Sequence, residues 1–362
     1  MREALNGFLS ITAKEVLHIR RDPTTLVFAL LIPMVQLALF GFAVDFDVRH
    51  IRTVVVDLDR TRESRDYVAS LQNTQYLDVV GYLPTPDRAQ QALRRNDARV
   101  AVIIPPDFAR RSGTRDAPTV QVLLDGSDSQ VAGPARSAFQ RPPDLSDPNA
   151  VDVRVNVLFN PQIRTQVYTI PGLVGVILQL VTVSLTSFSL VREREQGTLE
   201  QLMVSPVGRL GLMLGKLVPY SGLAMVELVT VLFIGRLVFD VPIAGSVLLL
   251  FILSVPFILA ALSIGLFIST VAQNQAQSLQ LTILTLLPSI LLSGYIAPRE
   301  TLPGPLYLLS DILPVTYFIQ IMRGIVVRGA GLWDLLPSVL ALILLTVTLL
   351  ALSTSRFRKS IA

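Results

Sequence analysis

The chain has 362 residues, of which 51% are hydrophobic and 16% charged, and it carries a net charge of +4. Soluble domains carry about 25% charged residues, so this shortfall indicates a membrane protein. With no cysteine and only two histidines, the chain excludes disulfides, thiolate metal sites and a histidine metal centre.

The first predicted elements are an amphipathic helix and a membrane span. Apolar residues recur at helical spacing between Leu5 and Leu17, with polar and basic residues mostly on the other side, as in a helix lying on a bilayer. Asp22-Pro23 ends this helix. We therefore assign 1–23 to an interfacial helix, with a plain cytoplasmic helix as the alternative, and 24–44 to TM1. The apolar run of TM1 is too long, and begins too late, for a secretory signal peptide.

A long, more polar segment follows, in which strand-like and helix-like stretches alternate. Strands are predicted at 52–57, 76–82, 99–104, 119–124 and 151–159, and helices at 62–71 and 86–95. Such alternation predicts a small α/β domain with one sheet, which we place at 45–168. The stretch 141–148 is rich in proline and aspartate, so it is predicted to be a loop.

Two kinds of functional site are considered for the α/β domain, a divalent-cation site and a serine–histidine triad. Asp57, Asp59, Asp125 and Asp128 follow predicted strands, and they either hold a divalent cation or are solvated loop ends, which we favour. His50 is the only histidine near the domain and lies at the membrane edge, so a serine–histidine triad is not expected.

Five further apolar runs predict membrane helices. TM2 is assigned to 169–191, TM3 to TM5 lie within 217–297, and TM6 to 335–355. Helices predicted at 307–313 and 317–327 are too short to span, so the proline-containing segment 298–334 is expected to hold re-entrant or interfacial helices. The predicted fold is a polytopic α-helical membrane protein with six transmembrane helices and an extracytoplasmic α/β domain inserted between helices 1 and 2.

Lysine and arginine predict the orientation. Arg20 and Arg21 precede TM1, four basic residues lie within 192–216, and three lie in the tail 356–362. All of these fall on one side if both termini are cytoplasmic, as the bias of short loops requires. The α/β domain is then periplasmic, and Arg236 at the edge of a short loop is a mild exception.

The loop at 192–216 has a local pattern of its own. Arg192 to Glu195 extend TM2 past the membrane, and Gly197 is the predicted break. Thr198-Leu-Glu-Gln201 matches a capping box, which predicts a short helix with Leu199, Leu202 and Met203 on its apolar face. This loop is either a docking helix for a cytoplasmic partner or an ordinary basic loop.

Two motifs carry a resemblance to a known family. The sequence Glu193-Arg-Glu-Gln-Gly-Thr-Leu-Glu-Gln-Leu202, followed by Ser205-Pro206, resembles the inner loop of the ABC-2 type permeases, the membrane subunits of a class of ATP-binding-cassette exporters. The stretches Ser293-Gly-Tyr-Ile-Ala-Pro298 and Arg323-Gly-Ile-Val-Val-Arg-Gly329 resemble the segment between the last two spans of that family. The large domain after TM1 is similar to its bacterial efflux-permease branch.

The resemblance implies a function, partners and site residues. It implies an exporter in the bacterial inner membrane that moves an amphipathic compound, drug-like or lipid-like, with two permease chains, identical or different, two ATPase chains, and a periplasmic adaptor. It implies that ATP is bound by the partner, so this chain needs no cofactor. The ATPase-coupling residues that it implies are Glu193, Glu195, Gly197, Thr198, Glu200 and Leu202.

No phosphate-binding loop of its own is present in the chain. The nearest approach is the stretch 208–217, in which the glycine spacing is wrong and Leu217 stands where a magnesium-binding hydroxyl is needed. The chain is therefore expected to be no enzyme.

Four polar residues are predicted inside spans. Glu227 is either a substrate or proton contact in the pathway, or a hydrogen-bonded residue between helices, which we favour. Gln36, Gln179 and Gln280 are expected to make interhelical contacts. Two rival functions remain: an ATP-independent secondary transporter that would use Glu227, and a signalling or scaffold protein that transports nothing.

Overall fold

A computed structural model describes residues 51–73, 76–112, 114, 118–139, 151–197, 209–296 and 298–356. The interfacial helix and TM1, predicted at 1–23 and 24–44, lie outside these residues. So do the predicted docking helix, with Thr198, Glu200 and Leu202, and the end of the tail.

The α/β domain is built from five strands, and four helices are described among them. The strands are β1 (Ile51–Asp57), β2 (Leu77–Tyr82), β3 (Val100–Ile104), β4 (Thr119–Asp125) and β5 (Asp152–Leu158). The helices are α1 (Arg62–Asn73), α2 (Pro86–Arg95), α3 (Phe108–Arg111) and α4 (Ser129–Phe139). The strands and first two helices correspond to those predicted. Helix α4 was not predicted, because Gly133 and Pro134 in its middle are poor helix formers.

The five strands form one mixed sheet in the order β2-β1-β3-β4-β5. Helices α1, α3 and α4 cover one face through Val68, Phe108 and Val131, and α2 covers the other through Ala89 and Leu93. Strand β1 is parallel to β3, whereas β3 and β4 are antiparallel. The carboxyl ends of β1 and β4 therefore lie at opposite ends of the sheet, measured along the strand direction.

Five described helices are long and apolar enough to cross a membrane. They are α5 (Thr165–Glu195), α6 (Arg209–Phe239), α7 (Val247–Val271), α8 (Gln275–Leu292) and α11 (Leu336–Arg356). Two shorter helices, α9 (Gly304–Asp311) and α10 (Pro314–Val326), are bent by 81° relative to each other and would make a sixth span if counted as one. The chain is therefore a polytopic membrane protein, with helices where sequence periodicity predicted them after residue 165.

Helix α5 lies at the centre of the bundle. In its most apolar stretch 61% of residues are buried, against 17% in α6 and 22% in α11. A Cβ added to Gly265 of α7 would lie 2.7 Å from the carbonyl oxygen of Val183 in α5, so the two backbones touch, as small residues allow in membrane bundles. The rings of Phe257 and Phe318 stack 4.1 Å apart and join α7 to α10.

Helix α5 leaves the α/β domain shortly after β5 and runs for 31 residues. At 1.5 Å per residue this is about 46 Å. Its last residue, Glu195, therefore lies at the end of the bundle far from the α/β domain, which we call the distal end. Helix α8 begins at the distal end and runs back toward the domain, antiparallel to α5.

Candidate functional site

The distal end of α5 carries three of the predicted coupling residues. The helix ends at Glu195, and Gly197 has a φ of +69°, a left-handed conformation that glycine adopts without steric cost and that commonly ends helices. The break predicted at Gly197 is confirmed. Glu193 is partly buried, whereas Glu195 is exposed.

Two side chains of this last turn bind the turn between α7 and α8. Arg194 Nη1 donates to the carbonyl oxygen of Ala272 at 2.6 Å, and Ala272 is the residue that ends α7. Glu195 accepts from the backbone N–H of Gln275 at 3.0 Å and from its Nε2 at 2.7 Å. We call Arg194, Glu195, Ala272 and Gln275 the distal junction.

The charges of the distal junction suit the helix ends that they meet. A cation at the carboxyl end of α7 and an anion at the amino end of α8 both oppose the partial charges of free backbone groups there. Asn274 caps α8 as well, because its Oδ1 accepts from the N–H of Gln277 at 2.8 Å. One turn of α5 is thus joined to two other helices.

Helices α5 and α8 are also joined in the middle of the bundle. Gln179 is 3% exposed, and its Nε2 donates to Ser289 Oγ at 3.0 Å. The interhelical role predicted for Gln179 is confirmed. Gln280 is exposed on α8 and Gln36 lies outside the described residues, so the interhelical role of these two stays a prediction.

The third contact between α5 and α8 lies near the α/β domain and is centred on Arg323 of α10. Its Nη1 donates to the carbonyl of Gly294 at 2.8 Å, its Nε to that of Tyr168 at 3.3 Å, and its Nη2 to that of Tyr295 at 3.4 Å. Its guanidinium lies 3.7 Å from the centre of the Tyr168 ring. Tyr168 in turn donates to the carbonyl of Gly294 at 3.1 Å. We call these residues the arginine junction.

The arginine junction brings together the two motifs that lie 29 residues apart in the sequence. Gly294 has a φ of +82°, which frees its carbonyl for Arg323 and Tyr168 after α8 ends. Sequence reasoning noted these motifs but assigned Arg323 no role. The available signal was an arginine within an apolar stretch that was predicted to be re-entrant or interfacial, because an arginine in such surroundings requires partners.

A cluster of charges, buried except on the side of Glu300, lies where the α/β domain meets the bent segment (residues 298–334). Arg99 Nη1 lies 3.0 Å from Asp125 Oδ2, and its Nη2 lies 3.5 Å from Glu300 Oε1 and 3.7 Å from Asp128 Oδ2. Arg328 Nη1 lies 3.7 Å from Asp125 Oδ2. We call these five residues the ionic cluster.

Burial and the charges of neighbouring residues have opposing effects on the pKa values of the residues in the ionic cluster. Burial opposes the charge of Arg99, but Glu300, Asp128 and Asp125 outweigh it and hold the pKa of Arg99 above its ordinary value. Burial lowers the pKa of Arg328 to about 10, and Asp125 offsets only part of that effect. Burial raises the pKa of Asp128 despite the opposing effect of Arg99. Burial also raises the pKa of Glu300, but Arg99 together with a backbone hydrogen bond, Arg299 and Arg52 outweighs it, and the pKa is lowered.

The ionic cluster corrects the prediction for the four aspartates. Because β3 and β4 are antiparallel, Asp57 and Asp59 lie at the opposite end of the sheet, along the strand direction, from Asp125 and Asp128. The four aspartates therefore do not gather around a cation. Asp125 and Asp128 are also buried rather than solvated. Among the described residues, no group of three or more acidic, histidine or cysteine side chains is arranged to hold a metal.

Glu227 lies on α6 and is partly buried. Its Oε2 atom is buried and has no hydrogen-bond partner among the described residues. Neither of the two roles predicted for it is established by this position.

Comparison with known proteins agrees with this architecture. Residues 23–354 match the family model described as "ABC-2 family transporter protein". The chain is 30% identical over 360 residues to "Probable multidrug ABC transporter permease YbhS" of Escherichia coli (strain K12), covering 95% of this chain and 94% of that protein. It is 30% identical over 329 residues to "Inner membrane transport permease YhhJ" of the same organism, covering 85% of each.

A eukaryotic relative matches over part of its length. The chain is 26% identical over 344 residues to "ABC transporter G family member 20" of Dictyostelium discoideum, covering 90% of this chain and 46% of that protein. No solved structure matches the chain.

Proposed function

The chain belongs to the ABC-2 family of transporter proteins and is the membrane permease subunit of an ABC exporter, and we propose that its loop at 192–216 binds the ATPase and transmits the conformational change of that subunit. The family implies an ATPase partner and a dimer of permeases in the inner membrane. We assign the contact to Glu193, Glu195, Gly197, Thr198, Glu200 and Leu202.

The distal junction is the observation that carries this proposal. A loop that only connected two spans would need no bonds to the rest of the bundle. Here Arg194 and Glu195, at the start of the loop, form hydrogen bonds to the ends of α7 and α8. A displacement of the loop would therefore act on three helices at once.

The contacts between α5 and α8 support transmission along the bundle. These helices are joined at the distal end by Glu195 and Gln275, midway by Gln179 and Ser289, and near the α/β domain by Tyr168 and Gly294. Polar bonds at three depths resist sliding of one helix along the other. The pair is therefore suited to carry a displacement across the membrane.

We place the distal end in the cytoplasm and the α/β domain in the periplasm, with both termini cytoplasmic. The support is the bias of lysine and arginine in short loops, with Arg192 and Arg194 in the last turn of α5. ATP would bind the separate ATPase, since the sequence has no phosphate-binding loop of its own.

We propose an amphipathic compound, drug-like or lipid-like, as the substrate. The support is that the Escherichia coli relative YbhS is named a probable multidrug permease. The second permease of the dimer is either identical to this chain or different from it, and by analogy with the family we include a periplasmic adaptor as a partner. Glu227 stays a candidate pathway residue, because its buried Oε2 lies on a helix that is largely exposed.

The test is reconstitution of the permease in vesicles with its ABC ATPase and an amphipathic fluorescent dye. We expect dye movement that requires ATP and both proteins. We expect Glu200→Lys to weaken co-purification with the ATPase, whereas Glu63→Lys, an exposed site on α1, should leave it unchanged. Dye movement without any ATPase, with loss of that movement in Glu227→Gln, would instead identify a secondary transporter.

A further inference from the structure

We propose that Arg99 and Arg328 are positioning residues that hold the bent segment against the α/β domain, so that the two move as one body during transport. The α/β domain would then be a moving part of the permease rather than a receptor on a flexible tether. This proposal rests on the transport function of the chain, and it does not depend on which end of the bundle faces the cytoplasm.

The contacts that cross this boundary lie at both ends of the bent segment. At its start, Glu300 contacts Arg99, and the carbonyl of neighbouring Ile296 accepts from Gln130 Nε2 at 2.7 Å. At its end, Asp334 pairs with Arg95 at 2.9 Å. One contact would allow the domain to rotate about it, whereas contacts at both ends oppose rotation.

Arg328 crosses the boundary from the bent segment into the domain. Its Nη1 donates to Asn96 Oδ1 at 3.1 Å and to Ser127 Oγ at 3.5 Å, and lies 3.7 Å from Asp125 Oδ2. Asn96 ends α2 with a φ of +69°, and Ser127 lies in the turn before α4. One guanidinium thus joins the bent segment to both layers of helices around the sheet.

Burial makes this arrangement hard to open. The side chain of Arg328 is 4% exposed and that of Asp125 is 0% exposed. A displacement too small to admit water would leave these charges with neither water nor a partner, and that costs much more than breaking a surface pair. Motion between domains is the usual expectation for polar interfaces, so buried charge at this boundary is a specific reason to expect none.

The bent segment also reaches the transport helices. Arg323 lies in α10, and Arg328 lies five residues later in the turn that follows this helix. Arg323 bonds the ends of α5 and α8 at the arginine junction. A displacement carried by α5 and α8 would pass through Arg323 to the bent segment. Through Arg328 it would then reach the α/β domain.

The first test uses the absence of cysteine from the chain. Arg95→Cys and Asp334→Cys together place two thiols at the rim of the boundary, where the two side chains are 41% and 18% exposed, so that loss of this partly exposed ion pair should be tolerated. A short, reducible bis-thiosulfonate reagent joins them in the complete transporter. We expect ATP-driven dye transport to change by less than about twofold. Transport that is lost on crosslinking and restored by reduction would overturn the proposal.

The second test measures a distance and does not require dye transport. A result that contradicts this proposal can therefore be distinguished from one that contradicts the transport function. Spin labels at Val80→Cys and Trp333→Cys, both exposed, report the distance from the domain to the bent segment in the complete transporter. We expect the same distance distribution without nucleotide and with ATP trapped. A shifted distribution would overturn the proposal.

The same labels test the positioning role of Arg328. We expect Arg328→Ala to broaden the distance distribution and Arg328→Lys to restore part of its sharpness. If Arg328→Ala does not fold, Glu300→Gln, at the more exposed side of the cluster, serves in its place. A distribution left unchanged by the substitution would show that the charges do not position the segment.

Discussion

Glu195 and Gln275 are 80 residues apart in the sequence, yet the carboxylate of Glu195 accepts from both the backbone N–H and the side-chain amide of Gln275. The contact joins the last turn of α5 to the first turn of α8 at the distal end of the bundle. It makes the predicted ATPase-coupling loop continuous with a second transport helix.

A double-mutant cycle tests this contact. Glu195→Ala and Gln275→Ala should each lower ATP-driven transport by a similar factor, and the double variant should lose no more than either alone, because the two substitutions remove one interaction. Stability should change little, since Glu195 is exposed. The measurement is dye transport beside thermal unfolding. Additive losses in transport would show that the residues act separately.

Arg323→Gln should destabilise the permease strongly. The substitution removes the charge from three carbonyl contacts and from the face of Tyr168. Hydrogen bonds to charged groups contribute about 1.5–3 kcal/mol each, so a loss of roughly 2–4 kcal/mol is expected after partial compensation by glutamine. The measurement is thermal unfolding in detergent. Arg236→Gln is the control, because Arg236 forms a largely exposed pair with Asp240, and it should lower the midpoint only slightly.

Glu300→Gln should change the pH dependence of stability. Burial raises the pKa of Glu300, but Arg99 together with a backbone hydrogen bond, Arg299 and Arg52 outweighs it and lowers the pKa, so the ionised form is favoured in the folded state. This contribution is present above the ordinary glutamate pKa of about 4.3 and is lost as the pH falls through the lower folded value. The native chain should therefore be more stable than Glu300→Gln at pH 7, and the gap should shrink on acidification below the ordinary value.

Thermal unfolding of both proteins from neutral to acidic pH measures this gap. Other carboxylates titrate equally in both, so only the difference is informative. A gap that is constant or grows on acidification would contradict the assigned role of Arg99.

Two glycine substitutions should have opposite effects. In Gly265→Ala the new Cβ meets the carbonyl oxygen of Val183 at 2.7 Å, and forcing α5 and α7 apart should cost about 1–3 kcal/mol. In Gly222→Ala nothing lies within 4 Å of the new Cβ, so the higher helix propensity of alanine should be neutral or stabilise by up to about 1 kcal/mol. Thermal unfolding distinguishes them, and equal effects would argue against close contact of α5 and α7.

Local patterns predicted most elements of the fold. The strands of the α/β domain and the helices after residue 165 follow hydrophobic runs that are visible along the chain. Helix α4 was missed because Gly133 and Pro134 lower helix propensity locally, while burial of Val131 and Phe139 against the sheet stabilises it. Packing against residues that are distant in the sequence thus stabilises a helix that local propensity does not predict.

The sequence by itself determined the membrane character, the family resemblance and the end of α5 at Gly197, because apolar length, motif spacing and helix-ending residues are properties of neighbouring residues. Only the tertiary structure decided which charges meet. Arg99 and Glu300 are 201 residues apart, and the antiparallel pairing of β3 with β4 moves Asp125 away from Asp57 and toward Arg99. The physical reason is that contacts between distant residues depend on the packing of whole helices and strands, and linear spacing carries little of that information.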